Sequence, residues 1–142
     1  MIYDPKPSCI QGIRVVYHNL LRLLCCTKKD SHTSIESMLE KLGWLSINQL
    51  TCEIRLIEVW RALNNENHCH KNLFEMAHSN QGSTRSAGLN KLKSCFKTKI
   101  RENSYSYPSI QIWNSAPSDV TTAATESSAR RAIRSFVKTL PI

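Results

Sequence analysis

The sequence predicts a mainly α protein: a small helical bundle of three N-terminal helices plus a C-terminal helix, with a polar linker and a short extended segment near residues 91–113. Three observations carry this. Apolar residues recur at three- and four-residue spacing in separate stretches, the period of amphipathic helices. Glycine is scarce, 4 in 142 residues, which argues against a glycine-rich barrel or a phosphate-cradling enzyme. Tyr105 and Tyr107, then Ile110 and Ile112, fall into pairs two apart, the period of a strand. A chain of 142 residues can bury roughly two-thirds of its unfolded surface, enough for one domain with a core.

Residues 1–9 hold two prolines and no periodicity, and form a loose lead-in. From Ile10 to Cys26, Ile13, Val16, Leu20, Leu23 and Leu24 make an apolar stripe with Arg14 and Arg22 on the other side. Thr33 and Glu36 have capping-box spacing and open a short helix that Gly43 ends. Trp44 and Leu45 form a hydrophobic corner, and Ser46 caps a helix from Ile47 to Asn64. That helix carries Ile47, Leu50, Ile54 and Ile57 on one face and Leu56, Val59, Trp60 and Leu63 on a neighbouring arc. So wide a surface must pack on two sides, which makes it the central helix of an N-terminal bundle over residues 10–64.

Residues 65–89 turn to Asn, His, Ser and Gly and read as a linker, with a helical turn near Leu73–Met76 as an option. Residues 90–142 form a basic segment. Within it, Lys91, Lys93, Lys97 and Lys99 alternate along KLKSCFKTKI, a stretch that fits a strand or a helix, with the alternation favouring extended backbone. Tyr105 to Trp113 continues extended, with Pro108 making any strand here an edge strand or breaking it at that point. Asn114 to Asp119 supplies turn formers. From Glu126, Ala129, Ala132, Ile133, Phe136, Val137 and Leu140 make one face of a last helix and Arg130, Arg131, Arg134 and Lys138 the other, with Pro141 at its end.

The formal net charge is +8, unevenly placed. Residues 1–84 carry nine Lys/Arg against eight Asp/Glu, and residues 85–142 carry ten against three, so an acidic partner would meet the second half. The six cysteines follow no signal peptide, and Cys25 and Cys26 are neighbours that cannot face one partner. They read as reduced, mostly structural thiols of an intracellular protein, nuclear or cytoplasmic. No apolar run reaches the ~20 residues of a membrane span. His68-Cys69-His70 is the one potential metal cluster, but zinc pairs are separated by two to five residues and no second pair follows, so neither a metal nor another cofactor is expected.

Three tracts resemble a known family in the family's order. SYSYPSIQIWNSAPSDV followed by a basic helix ending in SFVKTLPI is similar to the C-terminal end of non-LTR retrotransposon (jockey-like) reverse transcriptases. Tyr107, Trp113, Asn114 and Pro117 match, while Tyr105 stands where the family usually has Phe. SMLEKLGWLSINQLTCEIRLIEVWRALNN resembles the family's LGWL helix pair, and IRVVYHNLLRLL the segment after the polymerase thumb. The resemblance runs from about Ile13 to the end of the chain. It implies a region downstream of the polymerase core, working beside the polymerase part of a polyprotein on RNA or DNA.

It carries over no catalytic residue. Two-metal polymerisation needs clustered carboxylates, whereas Asp4, Asp30 and Asp119 are isolated and no Tyr-x-Asp-Asp is present. The expectation is a non-enzymatic, basic nucleic-acid binding or accessory module. Its candidate contacts are Lys91, Lys93, Lys97, Lys99, Arg130, Arg131, Arg134 and Lys138, with Tyr105 and Tyr107 as stacking platforms. A helical protein-interaction module, or a decaying remnant with no selected activity, is the alternative.

Overall fold

The computed structural model describes residues 7–27, 33–70, 74, 91–92 and 106–141. Among these the structure is helical: α1 Pro7–Leu24, α2 Ile35–Leu42, α3 Ile47–Asn64, α4 Ser106–Ser115, α5 Ser118–Thr121 and α6 Glu126–Lys138. The mainly α bundle is therefore what forms. No helix is long and apolar enough to cross a membrane among the described residues.

Local chemistry sets the boundaries. At the end of α1, Cys26 takes a left-handed φ of 53°, and the N–H of Thr27 reaches back to the Arg22 carbonyl at 2.9 Å. The same device ends α2, where Gly43 (φ 64°) turns the chain and Trp44 N–H bonds the Leu39 carbonyl at 3.0 Å. The cap of α2 is Ser34, whose hydroxyl accepts from Ser37 N–H, not the Thr33–Glu36 pair. Ser34 wins because its extended backbone (ψ 151°) brings its oxygen over the first turn. Ser46 caps α3 as expected, in a reciprocal box with Gln49.

The main core lies between α3, α4, α5 and α6. Leu56, Val59, Trp113, Val120, Ile133 and Val137 are buried there. Helices α3 and α6 run antiparallel, a direction fixed by their end contacts. Gln49 at the start of α3 donates through Nε2 to the Leu140 carbonyl beyond the end of α6 (2.9 Å). At the other end, Trp60 Nε1 donates to the Ala123 carbonyl (3.1 Å) and Arg61 pairs with Glu126 (2.8 Å). Helix α3 is thus central, but to the C-terminal helices: it joins the two sides of the 65–89 stretch in one core rather than organising a bundle of residues 10–64. From within that stretch, Phe74 is itself buried in this core. Leu73, Glu75 and Met76 lie outside the described residues. Ile54, placed on a buried face by spacing, is exposed, because α4 and α6 cover the arc of Leu56, Val59 and Trp60.

The Tyr107–Trp113 stretch is a helix, not a strand. Ser109, Ile110 and Trp113 are its buried residues, a helical spacing that the same letters carry beside the period of two. Pro108 sits in the first turn of α4, where a missing N–H costs nothing. Residues 93–105, the rest of the expected extended segment, lie outside the described residues. Leu92, just before them, is held by Asn114, which accepts from Leu92 N–H (2.8 Å) and donates to its carbonyl (3.0 Å).

Helices α1 and α2 close over a smaller cluster of Leu21, Cys25, Met38 and Leu39. Tyr17 links it to the rest: its ring stacks on Trp44 and its hydroxyl donates to the Leu45 carbonyl at 2.6 Å. Burial pushes that phenol's pKa up, so it stays a donor. Arg14 reaches Asn48 at 2.7 Å. The inward side of α1 and of the turn after it carries Tyr17, Leu21 and Cys25, four residues apart. The stripe expected to be buried faces outward instead, with Val16 69% and Leu23 73% exposed. The apolar arc of α1 is wider than the surface α2 covers.

Two substitutions probe these joints in urea unfolding. Asn114→Ala orphans both backbone groups of buried Leu92 and should cost about 1–3 kcal/mol. Gly43→Ala should cost about 1–2 kcal/mol from left-handed strain alone, since a Cβ there meets nothing within 4 Å.

Candidate nucleic-acid interface

Helix α6 builds the one continuous basic face among the described residues. Thr125 starts it with a reciprocal box to Ser128, satisfying the first-turn donors. Ala129, Ile133 and Val137 bury its inner face, which turns Arg130, Arg131, Arg134 and Lys138 outward, all exposed. These four sit within one arc because steps of three, four and seven residues return to the same side of a helix.

The four are not equally available. Glu126 accepts from Arg130 Nε (2.9 Å) and from Arg61 Nη2 (2.8 Å), and Arg61 also bonds Glu58 at 3.0 Å. Arg130 is therefore partly neutralised. Arg134 only approaches Glu53, at 4.0 Å. Arg131 and Lys138 have no carboxylate partner among the described residues. The least neutralised cations are thus Arg131, Arg134 and Lys138. The role of Arg61 could not be seen in the sequence, because its partner lies 65 residues on.

The remaining candidates separate. Lys91 is exposed, next to the Leu92 backbone that Asn114 of α4 grips, so it belongs to a different element from the α6 row. Tyr107 lies half-buried in the first turn of α4, on a different element from the α6 row. Lys93, Lys97, Lys99 and Tyr105 lie outside the described residues.

The hydrogen bonds from Arg61 and then Arg130 hold the Glu126 carboxyl below the usual carboxylate range, and those from Glu126 and Glu58 raise Arg61 further into its charged state. A depressed folded-state value means that Glu126 adds stability above its unfolded pKa, and that this is lost as pH falls through the folded one. Glu126→Gln should lower the melting temperature modestly near neutrality, and the two proteins should converge as pH drops through the acid range. A gap that stays constant with pH in thermal melts would contradict the ion-pair account. Compared with known family models, curated proteins and solved structures, the chain matches none.

Proposed function

We propose that this chain is a non-catalytic, basic accessory module that contacts RNA or DNA through the outer face of α6. The observation that carries this reading is the row Arg131, Arg134 and Lys138, exposed on a helix whose only described acidic residue, Glu126, is already engaged by Arg61 and Arg130. A charged row with few counter-charges of its own gains from a polyanion, since each phosphate neutralised releases condensed counterions. The resemblance of SYSYPSIQIWNSAPSDV and SFVKTLPI to the end of retrotransposon reverse transcriptases supports the same partner. It also makes the polymerase part of a polyprotein a second one, within the nucleus or cytoplasm.

The protein-interaction reading rests on a different feature, the outward apolar stripe of Ile13, Val16, Leu20, Leu23 and Leu24 on α1. Exposed apolar stripes of this kind are common where a helix docks on another protein. The two readings part in a salt series.

Three or four phosphate contacts from α6 should give a log affinity that falls against log salt with a slope of about −3. Replacing Arg131, Arg134 and Lys138 together by alanine should flatten the slope by roughly 0.9 per residue, with unchanged circular dichroism because all three side chains are exposed. A salt-independent response, or no binding to single- or double-stranded probes at low salt, would leave the interaction reading.

A further inference from the structure

Along the chain, His68, Cys69 and His70 lack the spacing of a zinc site. In space, the turn after α3 removes that objection. Asn65 caps α3 and folds the chain back: its side-chain oxygen accepts from Asn67 N–H (3.1 Å) and its carbonyl from His68 N–H (3.1 Å). His70 N–H then donates to His68 Nδ1 (3.2 Å), and the two imidazoles meet edge to face with centroids 5.2 Å apart. As a result one donor atom from each of His68, Cys69 and His70 lies within 4.8 Å of the others.

Two further features point to a ligand. The Nδ1 of His70 is buried and has no hydrogen-bond partner among the described residues. A buried polar atom left so is costly, and this one belongs to one of three neighbouring side chains that can each offer a lone pair to a metal ion. On the other side, Nε2 of His68 lies 3.4 Å from the Glu58 carboxylate on α3. With Nδ1 accepting a backbone N–H, the proton of the neutral ring sits on Nε2 and faces Glu58. A carboxylate behind a histidine is the arrangement that fixes ring orientation and raises basicity in metal-binding histidines.

We propose that His68, Cys69 and His70 form a binding site for a thiophilic first-row transition-metal ion, zinc first, with Glu58 orienting His68. Two imidazoles and a thiolate are borderline-to-soft donors, which select Zn(II) or its substitute Co(II) over Mg(II) or Ca(II). Metal bonds of about 2.0–2.3 Å put tetrahedral ligand atoms roughly 3.3–3.8 Å apart, so the three must draw in by about an ångström. Cys69 is exposed and free to rotate inward, and His68 Nδ1 must exchange its bond to His70 N–H for the metal. Cys69 binds as thiolate: the S–H bond breaks, the proton goes to solvent and the sulfur lone pair forms the bond to the metal. Water completes the coordination.

The probe is Co(II), titrated into the reduced, metal-free full-length chain. A near-ultraviolet thiolate-to-cobalt band should saturate at one ion per chain and be displaced by Zn(II). Cys69→Ser should abolish the band, and His70→Ala should weaken binding at least about tenfold. Glu58→Gln should weaken it about tenfold or more while the band survives. Cys26→Ser, at an exposed thiol away from the turn, should change nothing and controls for adventitious sulfur. A band that persists in Cys69→Ser, equal affinity in His70→Ala, or no band in the parent protein would overturn the assignment. Because nucleic-acid binding is not measured, its failure would leave this result untouched.

Discussion

The antiparallel pairing of α3 with α6 is the contact on which the larger core depends. Its geometry is fixed at both ends by polar side chains. Gln49 caps its own helix with Oε1 and holds the end of α6 with Nε2, so one side chain serves two elements. Because Gln49 is buried, neither bond has water as an easy substitute. At the opposite end, Trp60 and Arg61 hold the start of α6. Between these ends the interface is apolar, and α4 and α5 complete it with Ile110, Trp113 and Val120.

What the sequence showed depended on how local the determinant was. Helices α3 and α6 were legible to the residue or nearly so, because Ser46, Gly43 and the spacing of Ala129, Ile133 and Val137 act within one or two turns. Helix α4 was misread because Tyr107, Ile110, Ile112 and Trp113 satisfy both periods. What settles it is burial of Ile110 and Trp113 against α3, which local letters do not contain. The inward face of α1 was misjudged for a related reason. Its apolar arc exceeds what one neighbour can cover, and nothing in the helix itself says which part α2 will take.

The candidate interface divides the same way. The outward row on α6 follows from helical spacing and was visible in advance. Its internal differences were not, since the Arg61–Glu126 pair joins positions distant in the chain. That pair gives Arg61 a structural task and leaves the less neutralised charge toward Arg131, Arg134 and Lys138. The half-buried setting of Tyr107 likewise depends on the docking of α4. Short-range pattern thus located the basic surface, and long-range pairing decided which of its members face solvent with charge to offer.

The division of the interior into two clusters has a kinetic consequence. Leu21, Cys25, Met38 and Leu39 form a small core, tied to the rest by the Tyr17 contacts with Trp44 and Leu45 just before α3 and by the Arg14–Asn48 hydrogen bond to α3 itself. Opening the α1–α2 hairpin would break those few ties and leave the Gln49, Trp60 and Arg61 clamps intact. The amide protons of α1 and α2 would then exchange with solvent through a partial opening, of lower free energy than global unfolding, while those of α3 would wait for the whole domain. Among the described helices, the hairpin would be the first to let go.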